Sequence, residues 1–228
     1  MLTRQIFKMK ILNFISQNFI HHNNTQKLAF MSNVILFVLS FTLGVSLNAQ
    51  NIKDAQITTH KVTDQIYMLE GWGGNIGVFT GDDGTLMIDS QFAELSDKIK
   101  AAISEISDNN VHYLVNTHWH GDHTGGNQNF GDEGAVIVSH NNVRERLNKD
   151  QTRPFRGTTP AAPEIAWPVI TFDDSMQLHH NGESIQLIHV DNAHTDGDAF
   201  VYFPKANVIH MGDCFFKDRF PYVDLDSG

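Results

Sequence analysis

The stretch NTHWHGDHTGGN, residues 116–127, constrains the fold more than any other part of this 228-residue chain. It places three histidines and one aspartate within six positions, and two glycines follow. The preceding segment, VHYLVN, is rich in β-branched and aromatic residues, which predicts a buried strand that leads into an extended loop. In such a loop positions i and i+2 point the same way, so we expect His118 and His120 to bind one ion together.

The rest of the stretch predicts a second ion. Asp122 and His123 lie past the bend at Gly121 and are expected to face that ion, while Gly125 and Gly126 remove side-chain bulk where the chain turns. Imidazole nitrogens and a carboxylate suit zinc, and suit iron or manganese less specifically. The spacing therefore predicts a metal centre at the end of a strand.

Other histidines show no ligand-like spacing and are expected to be structural or exposed: His21, His22, His60, His112, His140, His179 and His180. His179 and His180 precede Asn181-Gly182, a strong hairpin-turn signal, which predicts exposed positions beside a turn.

The ligand-rich stretch resembles the His-x-His-x-Asp-His signature of the metallo-β-lactamase-fold hydrolases, and the resemblance runs from about Ile57 to Gly228. GGNIGVFTGDDGTLMIDS is similar to the family's opening strands and contains a strand-terminal Asp89. HVDNAHTDGDAFVYFP is similar to its second ligand segment, with His194, and NVIHMGDCFF to its third, with Asp213. These four segments come in the family's order, and they imply its fold and a metal centre rather than a particular substrate.

The implied fold is α/β, the four-layer αβ/βα sandwich of that family, over residues 50–228. Only 179 residues follow Ala49. The family's second half normally continues with a helix, a strand that bears another metal-site histidine, and a final helix. We therefore expect the C-terminal part of the fold to be missing, with an unpaired sheet edge, an uncovered apolar face and a weakly bound second ion.

The resemblance implies up to two zinc ions held by six side chains: His118, His120 and His194 for the first, Asp122 and His123 for the second, and Asp213 either as a bridge between the two or as a ligand of the second. A hydroxide held by the metal is the implied nucleophile toward a carbonyl or phosphoryl centre. Asp122 is expected to orient that nucleophile and to move its proton.

Four more residues are expected either to support the ligands or to serve as turn and capping residues: Asp89, Thr124, Thr195 and Asp198. His189 and His210 lie near ligand segments but match no ligand position of the family, so we expect them to be structural.

The third ligand segment allows two alignments with the family. In one, Asp213 is the ligand, as in the thioesterase-like and general hydrolase branches. In the other, Cys214 is the ligand and Lys217 follows three residues later, as in the Cys-x-x-Lys of zinc β-lactamases, where the lysine holds the substrate carboxylate. Those enzymes place the cysteine nine residues after the equivalent of Pro204, and here that position is Asp213. We therefore favour Asp213.

Residues 1–49 are interpreted as an N-terminal extension and signal peptide. The core, residues 34–47, is VILFVLSFTLGVSL, 14 residues without a charge, which is short for a membrane span. Lys27 precedes it, and we expect cleavage after Ala49 and a periplasmic or secreted protein; the alternative is an uncleaved anchor. Met31 is a better translation start, because MSN leads directly into the apolar run. Residues 1–30 are therefore interpreted as the result of assigning the start codon too far upstream.

The net charge of the chain argues against some classes of binding partner. The chain carries a net charge of −10, and beyond residue 49 it has 12 basic against 26 acidic residues. Such a surface argues against nucleic acid or an anionic membrane as a partner. The single cysteine excludes an intrachain disulfide. We expect a monomer that acts on a small molecule and keeps no stable membrane anchor after signal cleavage.

Together these observations predict an exported zinc-dependent hydrolase for a small ester, lactone, thioester or amide. The alternatives are a β-lactamase that uses Cys214 and Lys217, and an iron-dependent oxidoreductase of the same fold.

Overall fold

The computed structural model describes residues 51–153 and 157–227, which belong to one compact unit, residues 50–228. The predicted leader, residues 1–49, lies outside the described residues, so its assignment as a signal peptide stays a prediction. In the described part of the chain, no helix is both long enough and apolar enough to cross a bilayer.

The described residues form strands and short helices in an order typical of an α/β protein. The strands are β1 Thr58–Lys61, β2 Ile66–Glu70, β3 Ile76–Phe79, β4 Thr85–Ile88, β5 Val111–Val115, β6 Val136–His140, β7 Gln151–Arg153, β8 Gly157–Thr159, β9 Ile170–Phe172, β10 Ser175–His180, β11 Glu183–His189, β12 Ala199–Phe203 and β13 Val208–His210. The α-helices are α1 Ser96–Ser104, α2 Gly121–Thr124, α3 Asn127–Gly131 and α4 Asn141–Leu147. Short 3₁₀ helices cover Ile52–Asp54, Ala93–Leu95, Glu164–Ala166 and Gly212–Cys214.

Two sheets carry the fold. The first has seven strands in the order β1-β2-β3-β4-β5-β6-β9, antiparallel from β1 to β4 and parallel from β4 to β9. The second has four antiparallel strands in the order β10-β11-β12-β13. A separate hairpin, β7 with β8, belongs to neither sheet.

Apolar side chains form a core on each face of the first sheet. The helix-side core joins that sheet to α1 and α3 and includes Leu69, Met87, Ile99, Leu114 and Phe130. The second core fills the space between the two sheets and includes Phe79, Ile88, Val115, Ile185, Leu187, Val201 and Phe203. Strands β3 and β4 are buried at every position, as expected for strands covered on both faces.

The described residues therefore form three layers: helices, first sheet and second sheet. In the part of the chain that the structure describes, β13 is the last strand of its sheet, and no helix covers the outer face of that sheet. Ile188 and Ile209 lie exposed there.

The predicted helices and strands agree with the structure where apolar residues recur at a clear helix or strand spacing. AELSDKIKAAISEI has apolar residues at helical spacing, which predicts a helix, and it contains the 3₁₀ turn Ala93–Leu95 followed by α1; VHYLVN contains β5. Residues 151–168 hold four of the six prolines, which predicts a long irregular loop, but they contain the hairpin β7–β8 and a 3₁₀ turn. His180 was expected to be exposed and is instead buried, with Nε2 3.1 Å from the Gly84 carbonyl oxygen.

Candidate metal centre

The ligand-rich stretch is the loop that follows β5, as its position after a buried strand predicts. The Thr117 amide donates to Asp89 Oδ1 at 2.7 Å, and its carbonyl accepts from the Ala199 amide of β12 at 2.8 Å. The chain bends at residues 117–119 and returns to an extended conformation at His120, which is the N-cap of α2 (φ −62°, ψ 150°). It is therefore tied to both sheets before its histidines point inward.

Three histidine rings meet at one point. His118 Nε2 lies 3.2 Å from His120 Nδ1, and His194 Nε2 lies 3.0 Å from the same Nδ1. His194 comes from the loop between β11 and β12, so the two sheets each supply part of this cluster. The structure thus brings together the three residues predicted to hold the first ion.

In each of these three histidines, the ring nitrogen that points away from the cluster has a hydrogen-bond acceptor as its partner. His120 Nε2 lies 2.8 Å from Asp224 Oδ2, and His194 Nδ1 donates to the Tyr222 carbonyl oxygen. His118 Nδ1 lies 3.1 Å from the Thr117 hydroxyl oxygen, whose own proton goes to Asp89 Oδ2 at 2.7 Å. In a neutral imidazole only one nitrogen carries a proton.

The three converging nitrogens therefore present lone pairs to one another. Burial and the neighbouring histidines hold the pKa of His118 well below its usual value, and burial also lowers the pKa of His120, so added protons do not relieve this repulsion. Tetrahedral zinc with bonds of about 2.0–2.1 Å sets its nitrogen ligands roughly 3.3 Å apart. The observed spacings are within a few tenths of an ångström of that value, so the residues present fit a metal ion.

His123 heads a second cluster. Its ring is buried, and Nδ1 lies 2.8 Å from Asp89 Oδ2, which leaves Nε2 facing the site. Nε2 lies 3.3 Å from Asp213 Oδ1 and 3.6 Å from Asp122 Oδ2, and it has no hydrogen-bond partner among the described residues. Burial opposes the charged form of the ring, but the nearby carboxylates, Asp89 foremost, outweigh burial and raise the pKa of His123 to about 10. Two carboxylates around one ring nitrogen call for a cation, either a proton or a metal ion.

Asp213 links the two clusters. Its Oδ2 lies 3.8 Å from His194 Nε2, while its Oδ1 faces His123. His118, His123 and Asp213 form the second group of converging donor atoms, and the ring centroids of His118 and His123 are 3.9 Å apart. Asp122 belongs to neither group; its side chain is 34% exposed and lies beside His123.

Cys214 is not part of either group. Asp213, in contrast, is one of the converging donors of the second group. The geometry therefore favours Asp213 over Cys214.

The four expected supporting residues differ in what they contact. Asp89 bonds His123 directly, at a positive φ of 62° that is uncommon for a non-glycine residue. Asp198 accepts from the Thr195 amide at 2.6 Å and from its hydroxyl at 2.9 Å, and so shapes the turn beside His194. The Thr124 hydroxyl donates to the His120 carbonyl oxygen, four residues earlier, at 3.0 Å, so it bonds within its own helical turn.

The two histidines expected to be structural lie outside both groups. His189 Nδ1 donates to the Asp198 carbonyl oxygen at 2.8 Å, and its ring stacks on His140 with centroids 3.8 Å apart. His210 Nε2 donates to the Asn75 carbonyl oxygen at 3.1 Å.

Residues 222–227 contribute contacts that the sequence did not predict. Asp224 is 3% exposed; besides the His120 ring it accepts a hydrogen bond from Ser227 Oγ at 2.9 Å. The Trp119 indole donates to Ser227 Oγ at 3.0 Å, and the Asp224 amide donates to the His194 carbonyl oxygen at 3.0 Å. This segment orients two of the three converging histidines, yet its sequence has no spacing that links it to the ligand loop.

Gly74 is a second residue that the sequence analysis missed. A Cβ atom at Gly74 would lie 2.2 Å from His123 Cε1, so only glycine allows the chain to pass this ring. The pair Gly73-Gly74 in GWGGN was the available signal, and it was interpreted only as the start of a strand.

A cavity of about 690 Å³ opens beside the two clusters. Its polar wall includes His120, Asp122, His194 and Asp213. Its remaining wall is formed by glycines, arginines and aromatic residues: Gly73, Gly74, Gly121, Arg153, Arg219, Phe92, Phe216, Phe220 and Tyr222. A small molecule in this cavity lies against the converging donor atoms.

The sequence profile of the metallo-β-lactamase superfamily matches residues 69–228, most of the chain, and the protein belongs to that superfamily. Among solved structures, a subclass B3 metallo-β-lactamase of Bradyrhizobium japonicum is 19% identical, with a TM-score of 0.57 over 68% of this chain and 60% of that one. The metallo-β-lactamase GOB-18 of Elizabethkingia meningoseptica is 22% identical, with a TM-score of 0.58 over 67% of this chain and 58% of that one. These likenesses confirm the predicted fold.

Three curated relatives bear different names. The chain is 24% identical to the 2,4-dinitroanisole O-demethylase subunit alpha of a Nocardioides species, over 72% of this chain and 48% of the relative. It is 28% identical to a hydroxyacylglutathione hydrolase of Pelagibacter ubique, over 52% and 43%, and 25% identical to a metallo-β-lactamase type 2 of Bacteroides fragilis, over 81% and 74%. The chain thus spans about half the length of the first two relatives.

Proposed function

We propose that the protein is a zinc-dependent hydrolase that cleaves a small ester, lactone, thioester or amide. The observation that carries this proposal is the convergence of His118, His120 and His194, whose lone pairs face one another beside an open cavity. Two of the relatives bear the names of hydrolytic enzymes, which supports hydrolysis as the reaction.

His118, His120 and His194 would hold a zinc ion, which would supply a bound water with a lowered pKa as the nucleophile at neutral pH. Asp122 lines the cavity and is one-third exposed, so its carboxylate is placed to take a proton from that water. The water oxygen bonds to the acyl carbon, and the bond from that carbon to the leaving oxygen, sulfur or nitrogen breaks. The proton taken by Asp122 then goes to the leaving group, which yields a carboxylic acid and an alcohol, thiol or amine.

A panel of substrates tests the proposal. Zinc-loaded protein is offered a cephalosporin, a lactone, a thioester and a phosphodiester, and turnover is measured before and after chelation. We expect chelator-sensitive hydrolysis of at least one carbonyl substrate, with none by His118→Ala. The cephalosporin tests the narrower β-lactamase hypothesis, which the position of Cys214 outside both groups of converging donors disfavours. Purification with iron, together with oxygen consumption and no hydrolysis, would contradict the proposal and favour a redox enzyme.

We also propose that the protein acts after export, as a monomer, with cleavage after Ala49. The uncharged run of residues 34–47 supports export. N-terminal sequencing of protein from the periplasm or the medium should find Gln50, and an intact leader on the mature protein would contradict cleavage.

A further inference from the structure

We propose that Arg153 selects substrates that carry a carboxylate in addition to the reacting carbonyl group. This inference rests on the proposed function, because it assigns a substrate class to the same cavity. The hydrolase proposal itself specifies nothing about charge on the substrate.

Arg153 ends strand β7 of the separate hairpin and lines the cavity together with His120 and His194. Its side chain is only 18% exposed, and its guanidinium lies 4.7 Å from the centroid of the Trp119 ring. Stacking on a buried indole fixes the plane of the guanidinium and shields its charge from water. A positive charge is thus held at the wall of the site in a chain of net charge −10.

The hydrogen-bond donors of this guanidinium are not used by the described part of the chain. The nearest carboxylate oxygen, Asp224 Oδ2, is 3.8 Å away, beyond hydrogen-bond range. That oxygen already accepts from His120 and Ser227. Arg146 gives the contrast: it approaches the same Trp119 ring at 5.6 Å, but it donates two hydrogen bonds to Asp196, at 3.2 and 2.6 Å.

A partly buried guanidinium with free donors suits a planar, singly charged acceptor, and a carboxylate matches its paired N–H groups. A dianionic phosphate fits less well, because the Asp224 carboxylate is close enough to repel it. Phe92, Phe216 and Tyr222 form apolar parts of the same wall and suit a hydrocarbon chain between the two polar ends. The geometry therefore points to a monoester, thioester or amide of a short dicarboxylic acid.

Two esters with one leaving group test this inference. The mono-4-nitrophenyl ester of glutaric acid ends in a carboxylate, and 4-nitrophenyl valerate has a methyl group in its place. The zinc-loaded full chain should show a kcat/KM at least about tenfold higher for the glutarate ester, because hydrogen bonds to charged groups are the stronger ones. Arg153→Met should remove this preference by lowering kcat/KM for the glutarate ester and leaving valerate within about threefold. Arg153→Lys should restore part of it.

Arg146→Met is the matched control, because Arg146 carries the other guanidinium next to Trp119 but lies outside the cavity. It should change both esters by the same factor. The inference is wrong if the wild-type protein shows no preference, or if Arg153→Met lowers both esters equally.

Failure of the hydrolase proposal gives a different result, in which neither ester is cleaved. Calorimetric binding of glutarate and valerate then decides the role of Arg153. Glutarate binding at least about tenfold tighter in the wild-type protein but not in Arg153→Met supports the inference, and equal binding overturns it.

Discussion

Replacing Asp224 by alanine should weaken the first metal site without unfolding the chain. The carboxylate accepts a hydrogen bond from His120 Nε2 at 2.8 Å and so leaves the lone pair of Nδ1 facing His118 and His194. Loss of such a partner typically costs a factor of about 10–100 in metal affinity, or about 1.4–2.7 kcal/mol. The His120 side chain is 13% exposed, so water replaces part of the lost hydrogen bond. We therefore expect a loss near the lower end, about tenfold.

Zinc affinity is measured by competition with a chromophoric chelator at pH 7, and urea unfolding of the metal-free variants checks the fold. Asp224→Asn keeps an acceptor oxygen without its charge, so its loss should be smaller than that of alanine. Asp226→Asn is the matched control, because Asp226 is exposed and its amide, rather than its carboxylate, contacts Asp224. An Asp224→Ala variant that is folded and binds zinc within about twofold of wild type would refute the reasoning, as would an equal loss in the control.

Other measurements address the remaining ligands. His118→Ala should abolish binding of the first ion and all hydrolysis, and unchanged zinc stoichiometry would contradict its assignment as a ligand. Asp213→Ala should remove activity, whereas Cys214→Ser should largely keep it. A Cys214→Ser variant that is inactive and binds one zinc fewer would instead favour the β-lactamase alignment. Affinity for the second ion should rise about tenfold per pH unit between pH 7 and 9, because the ion must displace a His123 proton of pKa about 10, and a flat titration would contradict this. In the metal-free chain the raised pKa of His123 stabilises the fold fully below about pH 6.5, the ordinary pKa of histidine, and this stability is lost as the pH rises through about 10; urea unfolding at pH 7 and pH 10.5 measures the difference.

Local sequence was sufficient to predict the parts of the site that lie within one segment. The His-x-His spacing predicted that His118 and His120 would face one ion, and the structure brings their ring nitrogens together, although the chain between them bends instead of staying extended. His194 and Asp213 were located only through resemblance to the family, since no local pattern joins them to residue 118. The clear periodicity of α1 likewise predicted a helix in its correct place.

Contacts made after long loops could not be predicted in this way. Asp224 lies 104 residues from His120, and an acidic residue in a segment without periodicity gives no sign of its partner. The hairpin β7–β8 was missed because four prolines in residues 151–168 are more typical of irregular chain. His180 was missed because the turn signal at Asn181 and Gly182 describes the local backbone but not the neighbouring segment that covers the ring.

His120 and His194 are 74 residues apart in the sequence and come from loops of different sheets. An ion bound between them therefore acts as a cross-link between the sheets, and a cross-link that closes so long a loop removes much of the entropy of the unfolded chain. Without the ion, the same rings present repelling lone pairs, and the sheets are held together by apolar packing and by hydrogen bonds such as that from the Ala199 amide to the Thr117 carbonyl oxygen. We therefore expect the metal-free form to open between its sheets more often than the metal-bound form, and to be cut sooner by proteases.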